Sequence, residues 1–209
     1  MKTSTKINLF HWINPHYLQD KTLTQQFLSN TPFPHIVLPL FFLDKKIQPV
    51  AAALLRQEWQ EKESDLFQFQ QTFDLKTIEH PTLQEFYAFF SSQEFIEWIA
   101  TLTKTKLKRS IDMSGFIYDA TDYLLPHDDR LEKRKIAYVL NLSSGFSKRD
   151  GGELEFFTTN QNHPSQPFKK IIPVFNTLTL FEVSPKSFHQ VREVTAEKQR
   201  LSLGGWFHG

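Results

Sequence analysis

A predicted strand and a candidate metal site coincide in the segment Tyr118-Asp119-Ala120-Thr121-Asp122-Tyr123-Leu124-Leu125-Pro126-His127-Asp128-Asp129-Arg130. On an extended strand, side chains two residues apart point to the same face. His127 and Asp129 are therefore predicted to bind one metal ion from one side, with Asp128 pointing the other way. An imidazole and a carboxylate suit ferrous iron, and a second histidine would complete a 2-His-1-carboxylate triad with open coordination positions.

The His-x-Asp pattern is weak when it stands alone. The chain has eight His, and Asp plus Glu number 23 among 209 residues, so chance predicts about one His followed two positions later by an acid. A polar turn with a surface histidine is the simplest interpretation of the motif by itself. Other parts of the chain must therefore show whether this motif is a metal site or a polar turn.

Composition excludes several classes of protein. With 209 residues the chain can bury one sizeable core. A net charge of +1 gives no general attraction to nucleic acid or anionic membranes. The absence of Cys excludes disulfides and thiolate sites and fits a reducing compartment. No secretory signal or run of about 18 apolar residues is found, which predicts a cytoplasmic protein without membrane or direct nucleic-acid contacts.

The two halves of the chain are predicted to differ in secondary structure, because all seven Gly lie at Gly115 or later. Residues 1–110 are predicted to be mainly helical support with a first strand at 36–38 and another at 66–73. One helix is predicted over roughly 45–62, with Asp44 as its N-cap. A second helix is predicted to begin at Thr82, with Glu85 as its capping-box partner. A third is predicted around 95–102. We expect a single domain over 1–209.

The second half, 111–209, has the pattern of many short strands joined by turns. The strands are predicted near 112–118, 122–126, 134–142, 152–157, 169–172, 177–182, 188–194 and 200–207, with a polar loop over 158–168. This pattern indicates a β-rich α+β fold: a double-stranded β-helix (jelly-roll, cupin-like) core, with the N-terminal helices packed on one sheet.

Two further polar residues lie in predicted strands of this half. His189 stands in the segment Ser187-Phe188-His189-Gln190-Val191, about sixty residues after the His-x-Asp motif, and fits the distal ligand of a triad. Alternation in the last strand puts Arg200 and Trp206 on one face. If that face is the inner one, Arg200 is buried and needs a partner such as a carboxylate. An exposed arginine on an edge strand remains the alternative.

Five blocks of sequence, in order, resemble the iron- and 2-oxoglutarate-dependent prolyl hydroxylases, nearest to the ribosomal prolyl hydroxylases of eukaryotes and their bacterial relatives. The blocks are Tyr-Leu-Leu-x-His-Asp-Asp (123–129), Lys-Ile-Ala-Tyr-Val-Leu-Asn-Leu (135–142), Gly-Gly-Glu-Leu-Glu-Phe-Phe (151–157), Ser-Phe-His-Gln-Val-Arg-Glu-Val (187–194) and Arg-Leu-Ser-Leu-Gly-Gly-Trp-Phe-His-Gly (200–209). With the similar segment 32–37, the resemblance covers 32–209.

The resemblance implies a role for each candidate residue. His127, Asp129 and His189 correspond to the iron ligands, Arg200 to the residue that binds the distal carboxylate of 2-oxoglutarate, and Tyr118 to a tyrosine that helps to hold the cosubstrate.

Two departures from the family pattern stand out. Asn141 occupies the position where the family often has a second cosubstrate tyrosine, and we count Asn141 as a cosubstrate contact by its hydrogen-bonding amide. The eukaryotic relatives carry a second domain after the last block, so the expectation is a catalytic domain alone. Trp206 is a candidate substrate contact, with ordinary core packing as the alternative, and segments 65–74 and 143–150 are candidates for a mobile rim.

The function implied is that of a dioxygenase using Fe(II), 2-oxoglutarate and O2, with ascorbate as a supporting reductant. Its substrate would be a prolyl residue in a protein, such as a ribosomal protein or an elongation factor. Two alternatives stay open: a 2-oxoglutarate oxygenase acting on a free amino acid or another small molecule, and a non-catalytic jelly-roll binding module.

Overall fold

The computed structural model describes residues 6–131 and 133–209. Within them, eleven strands form one antiparallel sheet. The strands are β1 His35–Leu38, β2 Gln60–Ser64, β3 Phe67–Gln71, β4 Ile111–Tyr118, β5 Tyr123–His127, β6 Arg134–Asn141, β7 Leu154–Asn160, β8 His163–Ile171, β9 Thr177–Glu182, β10 His189–Val191 and β11 Arg200–His208.

The sheet curls so that its two halves face each other. Its strand order is β1-β9-β6-β11-β4-β3-β5-β10-β7-β8, and β2 pairs with β3. Side chains from both halves meet in an inner apolar cluster of Phe33, Ala137, Leu154, Phe156, Ile171 and Phe181. The predicted β-rich α+β class with a double-stranded β-helix core is confirmed.

The helices cover the outer face of one half of the sheet. They are α1 Pro15–Gln19, α2 Leu23–Ser29, α3 Asp44–Leu54, α4 Pro81–Phe90 and α5 Gln93–Thr103. Phe90 of α4 stacks on Phe207 of β11, with ring centroids 5.5 Å apart, and also contacts Tyr138 of β6. These rings belong to the large core, which joins helices and sheet. The prediction that the helices pack on one sheet is therefore correct. No helix among the described residues is long and apolar enough to cross a membrane.

The predicted helix over 45–62 is too long. The helix ends at Leu54, and residues 60–64 form β2, which pairs with β3. The pattern missed β2 because a strand that is largely exposed on both faces carries no apolar alternation. Asp44 is the first helical residue and not the cap; its carboxylate accepts a hydrogen bond from Asn176.

Two other local predictions are wrong. Helix α4 begins at Pro81, so Thr82 and Glu85 do not form a capping box; Glu85 pairs with Lys46 instead, at 2.8 Å. The segment 158–168 is not a loop, because β7 and β8 form a hairpin whose turn residues have positive φ. Strand β8 lies at the edge of the sheet, where prolines and polar residues are tolerated.

Candidate active site

Two neighbouring strands bring the histidines of the predicted triad together. His127 ends β5, His189 begins β10, and the two residues are direct partners in the antiparallel register. Their ring centroids lie 4.2 Å apart. Strand pairing thus places side by side two histidines that are far apart in sequence.

Asp129 joins this pair through a backbone turn. Strand β5 ends at His127, and Asp129 has φ 59°, in the left-handed region. The predicted strand alternation is therefore not what brings the carboxylate to the histidines. Its Oδ1 lies 3.4 Å from Nε2 of His127, and its Oδ2 lies 3.3 Å from Nε2 of His189. Asp128 points elsewhere and pairs with Arg130.

The histidine tautomers suit metal binding. Nδ1 of His127 lies 2.9 Å from the carbonyl oxygen of Leu125, and Nδ1 of His189 lies 2.9 Å from that of Ser187. A carbonyl can only accept, so each Nδ1 carries a proton, and Nε2 is the nitrogen that a neutral imidazole would offer to a metal ion. One ligand atom from each residue of the triad lies within 4.8 Å of the others, so the three residues could hold a metal ion.

Charge couples the three side chains. Burial alone would raise the pKa of the Asp129 carboxyl, but the neighbouring His189 and His127 hold it well below its usual range. Burial likewise opposes protonation of His127, yet the hydrogen bond and charge of Asp129 raise its pKa. The carboxylate is thus ionised and ready to bind a cation.

The triad opens onto a cavity of ≈ 220 Å³ inside the curled sheet. His127, Asp129 and His189 share this cavity with Arg200 and Tyr118. Most of the remaining wall is apolar, formed by Phe69, Phe116, Leu124, Ala137, Val139, Leu154, Phe181 and Val191.

Arg200 is a buried cation that has no acidic partner among the described residues. It is 1% exposed, and its Nε donates to the carbonyl of Gly152, its Nη1 to Ser202 and its Nη2 to Asn141. It forms no ion pair with any residue in 6–131 or 133–209. Burial lowers the pKa of its guanidinium from the ordinary value.

The two predicted neighbours of Arg200 lie beside it. Tyr118 is its register partner on β4, with the guanidinium carbon 5.1 Å from the ring centroid. Burial raises the pKa of Tyr118, so its phenol stays protonated. Asn141 is fully buried and accepts from Arg200, while its Nδ2 has no partner among the described residues.

Trp206 lies on the inner face as predicted from alternation, but its contacts are unexpected. Its Nε1 donates to Oδ2 of Asp129 at 2.9 Å, and the guanidinium carbon of Arg134 stands 3.4 Å from its ring centroid. Sequence reasoning missed Arg134. The only available signal was its position at the start of a predicted strand, which the structure pairs with the end of β11 at His208.

The two predicted rim segments differ in their relation to the cavity. Phe69, in segment 65–74, lines it directly. From segment 143–150, Phe146 packs into a small apolar cluster with Tyr118 and Val191. Whether either segment moves stays a prediction.

Known proteins share both the sequence pattern and the fold of this chain. Residues 113–208 match the 2OG-Fe(II) oxygenase superfamily. This match covers 96 of the 209 residues of the chain. It is 39% identical over 186 residues to "Prolyl 3-hydroxylase OGFOD1" of Xenopus laevis, an alignment that covers 87% of this chain and 36% of the relative. The chain therefore spans about a third of that relative's length.

Two solved structures share the fold. A Pseudomonas putida prolyl-4-hydroxylase has a TM-score of 0.72 at 19% identity, covering 89% of this chain and 98% of the other. A Trichoplax adhaerens prolyl hydroxylase, in complex with a peptide fragment of hypoxia inducible factor, has a TM-score of 0.70 at 12% identity, covering 93% and 90%.

Proposed function

We propose that residues 1–209 form one oxygenase domain that uses Fe(II), 2-oxoglutarate and O2 to hydroxylate a prolyl residue in a protein. One observation carries the proposal: a histidine–aspartate–histidine group and a buried arginine with no acidic partner among the described residues line the same cavity. A non-catalytic jelly-roll module has no need for both features.

The residues present fit ferrous iron. His127 and His189 each present Nε2 to an ionised Asp129, and the set of two nitrogens and one carboxylate is the donor set of non-haem Fe(II) oxygenases. We propose these three residues as the iron ligands.

The residues also fit 2-oxoglutarate. A guanidinium has five N–H donors, and protein atoms accept from three nitrogens of Arg200 by one bond each. The remaining donors and the uncompensated charge match a carboxylate. Asn141 has an unpartnered Nδ2 beside Arg200, and the neutral phenol of Tyr118 also lies next to the guanidinium. We propose that Arg200, Tyr118 and Asn141 hold the distal carboxylate.

When bound, iron would supply the oxidation of 2-oxoglutarate to succinate and carbon dioxide by O2, coupled to hydroxylation of a C–H bond. The residues of the chain would bind and orient the reactants. Arg200 would hold the distal carboxylate of the cosubstrate, the triad would hold the iron, and the apolar wall, including Phe69 and Phe181, would limit the access of water to the cavity. Trp206 can offer the ring face opposite Arg134 to the prolyl ring.

The substrate part of the proposal rests on relatives. The curated relative is named a prolyl 3-hydroxylase, and a structural neighbour holds a protein-derived peptide. We propose a prolyl residue of a ribosomal protein or translation factor as the target, and a cytoplasmic location, which the absence of cysteine fits.

The test is intact-protein mass spectrometry of ribosomal proteins and elongation factors from cells with the wild-type protein and with a His127→Ala variant. The proposal predicts a prolyl residue that gains one oxygen atom in the wild-type pool only. Equal oxidation in both pools, or none in either alongside turnover of free proline, would contradict the protein substrate.

A further inference from the structure

We propose that Trp206 and Arg134 are positioning residues that hold Asp129 in its metal-binding orientation. This inference rests on the proposed iron site. It assigns to Trp206 a role in addition to any contact with substrate, and it gives Arg134 a role that sequence alone does not indicate.

The carboxylate needs an anchor because of where it stands. The histidines are fixed by strand pairing and by bonds to backbone carbonyls, whereas Asp129 follows the end of β5 in the connection to β6. Its left-handed backbone, φ 59°, is a conformation that residues other than glycine adopt uncommonly. Strand pairing therefore does not determine the direction of this ligand.

Trp206 is a rigid anchor for it. The residue lies within β11 and is paired on both sides, with Asp112 of β4 and with Ala137 of β6. Its indole N–H donates to Oδ2 of Asp129 at 2.9 Å. Indole nitrogen is a donor only, so it restricts rotation of the carboxylate without competing for the metal. The bond transfers the rigidity of the central sheet to a ligand in a connecting segment.

Arg134 completes the anchor. Its guanidinium lies against the Trp206 ring, with the carbon 3.4 Å from the centroid, and its Nη1 is 3.9 Å from Oδ1 of Asp129. The Arg134 side chain is 18% exposed, so solvent screens this contact only in part. A planar guanidinium can stack on the indole and face the carboxylate together, which a lysine ammonium cannot.

The edge and the faces of the Trp206 indole therefore have different contacts. Its polar edge is occupied by Asp129, one face is covered by Arg134, and the residue also lines the cavity. The Trp206→Phe substitution removes the N–H and keeps an aromatic ring for packing. It therefore separates positioning of the ligand from filling of the cavity.

The experiment measures metal binding without turnover. Co(II) is titrated into the wild-type protein and the Trp206→Phe variant, and affinity is obtained by calorimetry and the coordination by visible absorption. Loss of a group that orients a metal ligand typically weakens binding by about 10–100-fold. We expect a loss in that range and a changed Co(II) spectrum, with the unfolding temperature of the metal-free protein little changed. Trp98→Phe, in α5 and outside the cavity, is the matched control and should leave both metal readouts unchanged.

The outcomes are distinguishable from failure of the iron site itself. A wild-type protein that binds no Co(II) would refute the proposed function and this inference together. A folded Trp206→Phe variant with wild-type affinity and spectrum would overturn the inference alone. If that variant does not fold, Arg134→Met gives a second test: weaker Co(II) binding supports the anchor, and unchanged binding overturns it.

Discussion

Replacing Arg200 with methionine tests the cosubstrate site most sharply. Methionine keeps an unbranched apolar chain but removes a guanidinium that makes three protein hydrogen bonds and no ion pair with a described residue. The proposed partner of this cation is the distal carboxylate of 2-oxoglutarate. Removing one member of a buried charge pair typically costs about 3–5 kcal/mol. That corresponds to a loss of affinity of roughly 10²- to 10⁴-fold.

The assay measures direct binding of 2-oxoglutarate to the Mn(II)-loaded protein. Binding is detected by calorimetry and by the shift in thermal unfolding. At about 100 times its dissociation constant, a ligand that binds only the folded state adds about 2.7 kcal/mol of stability. The wild-type protein should show that gain, and Arg200→Met should lose it at the same concentration. Arg200→Lys is the control that keeps the charge without the planar fork, and an intermediate loss is expected. A folded Arg200→Met variant that binds 2-oxoglutarate as tightly as the wild type would refute the reasoning.

Two further predictions concern the fold around the site. Burial, aided by the charge of Lys169, lowers the pKa of His35 from 6.5 to about 4. Between these values the unfolded chain binds a proton that the folded chain does not, so the free energy of unfolding should fall by up to about 3 kcal/mol as the pH drops from 7 to 4. Urea titrations should show a smaller fall for His35→Gln, and equal pH dependence of the two proteins would contradict the assignment. At Gly205, an added Cβ would lie 1.9 Å from the carbonyl oxygen of Asp112, so Gly205→Ala must force β4 and β11 apart. It should lower the unfolding temperature by several degrees or more, whereas Gly204→Ala, whose added Cβ would come no nearer than 3.2 Å to a ring carbon of Phe116, should cost less. Similar unfolding temperatures for both variants would count against this interpretation of the strand contact.

The general architecture could be predicted because it depends on local alternation. In the last strand, alternation alone placed Arg200 and Trp206 on one face, and both line the cavity. Helical spacing likewise predicted a helix opened near Thr82 and another around 95–102, and Phe90 of α4 and Phe95 of α5 lie in the core. These predictions need only the period of a strand or a helix, which a single sequence carries.

The errors fall where context outweighs local pattern. Strands β2 and β8 have little apolar alternation, because most of their side chains are exposed, and only pairing with a neighbour makes them strands. Strand alternation predicted that Asp129 would lie on the same side as His127. The two side chains do lie together, but the left-handed backbone conformation of Asp129 is what brings its carboxylate there. The contacts of Arg134 depend on the distance between β6 and β11, which no spacing in the sequence reveals.

The most direct measurement of the central claim is succinate release by the purified protein supplied with Fe(II), 2-oxoglutarate and O2. It should be made with and without a proline-containing peptide, and beside an Asp129→Ala variant. We expect release that rises with the peptide, one added oxygen atom on the prolyl residue, and no release from a folded Asp129→Ala variant. Full turnover by that variant would contradict the metal site, and stimulation by free proline but not by any peptide would contradict the protein substrate.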